Sequence, residues 1–420
     1  MTLWRNPFGG DRWRHPFEVG EAEVGEAEGQ ILGIEWNQST DTWTRIDEDG
    51  NTVSPNPDDH PTLDAITRVN LAADGTVNAV YGDGSYAEDG TNGRVMVRIP
   101  KFWVKTASPS ANVYRWWISD IARTGYDVHP AYFQRNNVGA AVEYLYVGAY
   151  EADGYDDGGT FKLHSRAGVT PVTGTTYPDL PGNHLDIDDA EDYANNIGSG
   201  WGNLNIWSWS AVTLLMMLDW GNLDSQSELG RGIVDKPSGS GFAGEDTASF
   251  NVNDNLDATL TGAGDDGLAG EAHDGLRPVT WRGIENWWGN AWSFVIGYNA
   301  VDAEYRIIKK AGVASATMDG TLAGGDYDSS TAAPITSDGY ISNIEWESLL
   351  SLLLIPSATS GGDSSHVPDY FWAHDAGDTN TLLVGATWYK GSQGGAAAQY
   401  PGIVASGSYR SVGGRLECIK

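Results

Sequence analysis

The residues best suited to recognition chemistry stand near the end of this chain. Gly385-Ala-Thr-Trp-Tyr-Lys-Gly-Ser-Gln-Gly-Gly395 and Ser408-Tyr-Arg-Ser-Val-Gly-Gly-Arg415 set Trp, Tyr, Gln, Lys and Arg between closely spaced glycines. Glycine holds turns that residues with a Cβ resist. Tyr, Trp and Arg supply large contact areas and strong polar tips at low conformational cost. Between Val384 and Lys420 the bases are Lys390, Arg410, Arg415 and Lys420 and the only acid is Glu417, so the segment carries four minus one, or +3, in a chain of net charge −32. That local inversion of sign points to non-covalent binding of a partner.

Bond-making and metal chemistry have weaker signals. Asp153, Asp156 and Asp157 offer hard oxygen ligands for calcium or another cation. However, the twelfth position counted from Asp153 is His164 where an EF-hand needs Glu, which leaves a solvated acidic loop as the alternative. Glycan cleavage needs two carboxylates about 5 to 10 Å apart, and among 57 acids a pair can always be nominated. Histidines such as His129, His164, His184, His273 and His366 show no paired metal spacing. No phosphate loop or nucleophile elbow occurs. The single Cys418 permits neither an intrachain disulfide nor a multi-cysteine metal site.

Short strands and a few helices must position these residues. Ile34–Asn37 and Thr42–Ile46 alternate apolar with polar, Arg94–Lys105 reads as a strand pair with Pro100 at an edge or break, and Val142–Tyr150 as a further strand. Trp281 to Tyr298 reads as a core strand with its entry turn. Asp188–Ile197, with acids in its first turn and Gly198 after it, predicts one helix. Ser210–Trp220, capped by Ser208 or Ser210 and stopped by Gly221, predicts a second that is apolar nearly all round and therefore buried. A third is expected over Ile344–Leu354. Residues 236–280 form a long Gly/Ser/Asp-rich surface insertion. Residues 1–30 hold a basic-aromatic head (Trp4, Arg5, Phe8, Arg12, Trp13, Arg14, Phe17) and a tandem Val-Gly-Glu-Ala-Glu, read as a docking arm or a frayed terminus.

Hydrophobic residues at 40% and aromatics at 11% exclude a disordered chain. Acids outnumber bases 57 to 25. The resulting self-repulsion is unscreened over about 10 Å at 0.1 M salt and only about 3 Å at 1 M, which suits a hypersaline solvent; an ordinary acidic surface protein is the alternative. No basic stripe exists to neutralise phosphates, so nucleic acid is not expected as a partner. No apolar run approaches a membrane span, and the first residues lack a secretion-signal pattern.

The sequence resembles the C-type-lectin-fold proteins of tailed viruses, the tail fibres and the major tropism determinant group. The family phrase Gly-Ile-Glu-Asn, aromatic, Trp-Gly-Asn, any residue, Trp stands at Gly283 to Trp292. Its ending looks like Gly385–Gly391 with Val412–Arg415, where Ala386 replaces a glycine and Val412 an isoleucine. Similarity extends to Gly125–Tyr132, Tyr146–Glu151, Gly200-Trp-Gly and Gly221–Ser227, covering roughly residues 31–420. The resemblance implies an α+β, C-type-lectin-like fold of short twisted strands, two to three helices and long Gly/Asp-rich loops. It further implies an arm at 1–30, a β-rich region at 31–110 and the lectin-like domain at 111–420. The implied framework is Trp281, Gly283, Glu285, Asn286, Trp288, Gly289, Asn290, Trp292, Trp388, Gly391, Gly414 and Arg415. Thr387, Tyr389, Lys390, Gln393, Tyr400, Tyr409 and Arg410 are then expected to face a receptor. The expected role is a receptor-binding tail-fibre or adhesin component of a virion infecting an extreme halophile, without enzymatic activity. Expected partners are a host surface glycoprotein or glycan, other tail proteins through the arm, and further copies of the chain, a trimer by analogy. A particle-decorating protein is the structural alternative, and a glycan-cleaving tailspike the third. The fold is shared by sulfatase-activating oxidases, but their chemistry needs reactive cysteines. Calcium-chelating lectin loops have as counterpart only Asn56-Pro-Asp58, which stands in the wrong region of the chain.

Overall fold

The computed structural model describes residues 29–133, 141–174, 185–236, 274–301, 304–309, 327–373 and 379–420. Residues 1–28 of the expected arm, residues 237–273 of the expected insertion and His184 and His273 lie outside them.

Three larger sheets and a few helices make up the described chain. A five-stranded antiparallel sheet runs in the order Thr42–Ile46, Ile31–Asn37, Val113–Ser119, Trp103–Ser110, Asp127–Val128. A six-stranded sheet joins Trp201–Asn203, Leu416–Ile419, Tyr144–Gly148, Arg94–Pro100, Thr67–Leu71 and Val77–Val80, so the last strand of the chain is threaded between early ones. The third sheet is built on Trp292–Val301 and carries Asn380–Val384, Gln399–Val404, Val367–Phe371 and Gly339–Ile341 on one side.

The helix Ile206–Trp220 is the hub. Every side chain from Ile206 to Leu218 is buried, as expected for a helix apolar on all faces. It packs against strands Ile31–Asn37 and Trp292–Val301. Gly221 ends it with φ +86°, a left-handed conformation open to glycine at little cost. Among the described residues no helix is long and apolar enough to cross a membrane.

Several sequence expectations are corrected. The hub helix begins at Ile206, not Ser210, because Asn205 is the cap. Its side-chain oxygen accepts from Trp207 N and Ser208 N at 2.8 and 2.9 Å, and Asn205 is itself held by both carboxylate oxygens of Glu417, at 3.0 and 2.8 Å. The first helix runs Ile187–Asn195, with Asp186 and Asp189 forming a capping box. Ile344–Leu354 is not a helix. Strands Asn343–Ile344 and Pro356–Ala358 pair across it, leaving a run of tight turns that includes Leu353 N to Leu350 O at 2.8 Å. The segment makes one helix-type bond, Ser351 N to Glu347 O at 2.9 Å, and Leu354 at φ +51° turns the chain out of any helix before the second strand. Arg94–Lys105 does form two strands, but Arg94–Pro100 and Trp103–Ser110 enter different sheets. The boundary expected at residue 110 falls in the hairpin joining Trp103–Ser110 to Val113–Ser119.

Candidate functional site

The phrase Gly283–Trp292 is a brace. Asn286, Gly289 and Asn290 take φ values of +49°, +80° and +59°, so the chain turns tightly and delivers Trp288 and Trp292 inward. A Cβ on Gly289 would lie 2.8 Å from the backbone N and O of Ile233, which requires glycine there. Glu151 ties the turn together: it accepts from Asn290 Nδ2 and, at 3.0 Å, from Ala291 N. Burial pushes this carboxyl up to about 7, against the pull of Arg415 and of these donors. Arg415, also buried, donates to the carbonyls of Gly148, Glu285 and Asn286 at 2.8, 2.8 and 2.7 Å. Arg68 Nε donates to Gly283 O at 2.8 Å, Trp281 Nε1 to Asp219 at 2.9 Å, and Trp288 Nε1 to Arg231 O at 3.1 Å. Gly414 packs against Asn203, where a Cβ would come within 2.5 Å of the side-chain oxygen. Of the twelve expected framework residues only Gly391 is not buried.

The glycine-rich loop after Val384 is bolted to this brace. Gly289 N donates to Gly385 O at 3.0 Å, Trp388 N to Asn290 O at 3.1 Å, Lys236 N to Trp388 O at 2.8 Å, and Gly391 N to Val234 O at 2.9 Å. Gln226 Nε2 spans the loop, donating to Gly391 O and Gly394 O at 2.9 and 2.8 Å. Ala386 sits at φ +74°, a left-handed backbone at the position where the resembled phrase has glycine.

Thr387 is corrected by the structure: it is fully buried, with Oγ1 donating to Asn290 O at 2.8 Å. The brace and the loop draw so close that Asn290 O accepts from both the Thr387 hydroxyl and Trp388 N. Most of the loop's surroundings are likewise interior, including residues 394–399 and 411–419. Tyr389, Lys390, Gln393, Tyr400, Tyr409 and Arg410 are half-buried, and they do not form one patch. Tyr389, Lys390 and Tyr400 are drawn together, whereas Tyr409 lies toward residue 174, whose N donates to its carbonyl at 2.9 Å.

What gathers Tyr389, Lys390 and Tyr400 is a row of rings absent from the sequence-based site. Lys390 Nζ lies 4.8 Å from the centre of the Trp372 ring and 5.3 Å from that of Tyr389, in cation–π geometry. Trp372 is flanked by Tyr370 at 4.7 Å and Tyr400 at 6.4 Å, and its inner edge meets buried Trp292 at 5.0 Å. Tyr340, paired with Tyr370 in the strand register, adds a T-shaped contact at 5.1 Å, and its hydroxyl reaches Ser392 Oγ at 2.8 Å. Tyr340, Tyr370, Trp372, Tyr389, Lys390 and Tyr400 are all half-buried, with their stems packed and their outer faces reachable. The sequence signal for the missed members was the dense run Tyr370-Phe-Trp372, which lies outside the resembled phrases.

Beside the row, at Ser392, opens a cleft of about 540 Å³ between the segments 224–231 and 363–369. Asp369 is buried in its wall; Oδ2 accepts from Ala397 N at 2.7 Å and Ser225 Oγ at 3.3 Å. Loss of hydration pushes Asp369 up to about 8, and nearby Asp224 adds to the rise. The segment Gly221–Ser227, noted in the sequence only as a resemblance, is therefore a cleft wall.

The other nominated acids are engaged locally. Asp153 is buried against Arg166 at 3.1 Å, Asp156 accepts from Gly159 N at 2.6 Å, and Asp157 pairs with Lys162 at 2.7 Å. Asp58 meets Arg282 at 2.6 Å. Among the described residues no group of three or more His, Cys, Asp or Glu side chains is placed to hold a metal ion.

No protein-family model matches the chain, and no curated protein does. Among solved structures, the Major Tropism Determinant I1 variant is similar at 14% identity with a TM-score of 0.29, over 84% of this chain and 71% of that one. The P3c variant is similar at 13% identity and a TM-score of 0.29, with the same coverage.

Proposed function

We propose that this chain is a receptor-binding, non-enzymatic component of a virion tail or surface appendage, with a C-type-lectin-like fold, and that it contacts the host surface through the row from Tyr340 to Tyr400. The observation that carries this reading is the half-buried set Tyr340, Tyr370, Trp372, Tyr389, Lys390 and Tyr400, in which Tyr389 and Lys390 stand on a loop hydrogen-bonded to a buried tryptophan brace and the others on or beside strands of the third sheet. Rigid aromatic side chains bind with little ordering cost, and aromatic residues dominate the energetics of protein recognition surfaces. The Gly283–Trp292 and Gly385–Arg415 phrases support the same reading through their resemblance to tropism-determining fibre proteins.

The purified chain should bind cells of the virus's host and compete with virus adsorption. A triple Tyr370→Ala, Tyr389→Ala, Lys390→Ala variant should lose at least about tenfold in binding, as expected when hot-spot side chains are truncated, while unfolding in denaturant stays cooperative. Adsorption unaffected by the triple variant would leave the particle-decorating alternative in place, which the burial of Thr387 and residues 394–399 favours. Assembly as a homo-oligomer belongs to the same proposal and is checked by light scattering.

A high-salt setting is the second half of the reading. With a net charge of −32, the melting temperature should rise between 0.1 M and 3 M KCl as the screening length shrinks from about 10 Å to below about 3 Å. A flat or falling profile argues for an ordinary acidic protein.

A further inference from the structure

The cleft beside the aromatic row has features the receptor reading does not use. Its lining carries the side chains of Asp224, Asp363 and Asp369 beside the hydroxyls of Ser227 and Ser392. Among the described residues its one lining cation, Arg231, is already paired with Asp235 at 2.6 Å. Asp369 is 1% exposed, and among the described residues its Oδ1 has no hydrogen-bond partner, although Oδ2 has two. An acceptor held in place on one side by two hydrogen bonds and open to the cleft on the other is preorganised for a ligand hydroxyl that displaces cleft water.

We infer that this cleft binds a neutral, hydroxyl-rich saccharide, with Asp369 and Asp224 bonding its hydroxyls and Tyr340 bordering its ring at the Ser392 rim. This rests on the receptor reading and names the class of ligand for it. The volume of about 540 Å³ lies within the roughly 300–1,000 Å³ typical of small-ligand sites. Three aspartates against one paired arginine disfavour an anionic sugar. A protonated Asp369 carboxyl both donates and accepts, which matches a hydroxyl and not an ammonium group; burial raises its pKa to about 8, so it holds the proton at neutral pH. Ser227 and Ser392 offer further two-way partners, and Tyr340 adds an aromatic edge where its hydroxyl meets Ser392 at 2.8 Å.

The test is an array of immobilised oligosaccharides bearing neutral, sulfated and amine-bearing members, probed with the full chain at pH 7. Binding confined to neutral members, lowered at least tenfold by Asp369→Leu and abolished by Ser227→Trp, is the expected result. Ser227 is an exposed side chain, so the tryptophan fills the cleft mouth without disturbing the core and serves if the Asp369 variant fails to fold. Binding to sulfated or amine-bearing members alone, binding unaffected by Ser227→Trp, or no binding to any member overturns the inference. Host-cell adsorption separates the two proposals. Adsorption that persists in Ser227→Trp but is lost in the aromatic-row triple variant sinks the saccharide cleft and leaves the receptor reading standing. Neutral-sugar binding without adsorption does the reverse.

Discussion

Trp292 and Trp372 touch, with ring centres 5.0 Å apart, yet they belong to different parts of the molecule. Trp292 is 1% exposed and ends the brace; Trp372 is half-buried and anchors the aromatic row with Lys390 against it. One residue type thus serves as interior packing on one side of the contact and as reachable surface on the other. Depth in the third sheet separates them. Trp292 begins the strand that carries the sheet, and Trp372 follows the strand Val367–Phe371 farther along it. A tryptophan-rich stretch by itself therefore does not mark a reachable surface; that surface begins where the packed rings stop.

The sharpest way to break this contrast is to truncate each ring. Trp292→Ala should cost about 3 to 5 kcal/mol in urea unfolding, the range for large-to-small changes of aromatic core residues. Gly289→Val should cost a similar amount, about 3 to 5 kcal/mol from a left-handed backbone and a clash with Ile233 taken together. Trp372→Ala should cost less, about 1 to 2 kcal/mol for a partly exposed side chain, yet reduce host-cell adsorption at least about tenfold. If both tryptophans affect only stability, the distinction between brace and row fails.

The pH dependence sharpens the contrast at a different point. Asp369 is raised from 3.8 to about 8 in the folded chain. The folded state therefore keeps a proton that the unfolded chain gives up above about 4, and the associated stability, complete below that value, is lost as pH rises toward about 8. Melting temperature should fall over this window, and Asp369→Asn should flatten part of the fall. Glu151 and Asp153, pushed up to about 7 and about 6, contribute in the same sense and remain in that variant. An unchanged slope in Asp369→Asn would show that the cleft carboxyl is ionised throughout.

Two neighbours in the loop should respond differently, and the second gives the smallest effect. Gly385→Ala should be clearly destabilising, by about 2 kcal/mol or more, since φ is +91° and a Cβ would stand 2.7 Å from Trp287 O. Ala386→Gly should change stability by less than about 1 kcal/mol: relief of the left-handed strain is offset by the greater chain entropy of glycine and the loss of one buried methyl. Equal responses at 385 and 386 would mean that backbone strain is not what distinguishes them.

The brace was legible in the sequence because its requirements are local. Gly289 between Trp288 and Asn290 announces a turn that only glycine permits, and the apolar run ending at Gly221 announces a buried helix. The start of that helix was not legible. Asn205 is oriented by Glu417, 212 residues away, and no local pattern carries that information. Thr387 was misread for the same reason. Its neighbours look like a displayed loop, but its hydroxyl answers a carbonyl on Asn290, 97 residues distant in the chain.

By itself the sequence determined the acidic character, the β-rich class, the glycine turns and the tryptophan phrases, because composition, backbone conformational limits and local periodicity are properties of neighbouring residues. Tertiary structure alone decided which aromatic rings remain reachable and which loop residues are sealed. It also decided that Asp369, Ser227 and Ser392 share one cleft. Those outcomes depend on which strands pair, and strand pairing sums many weak contacts between segments far apart in the chain.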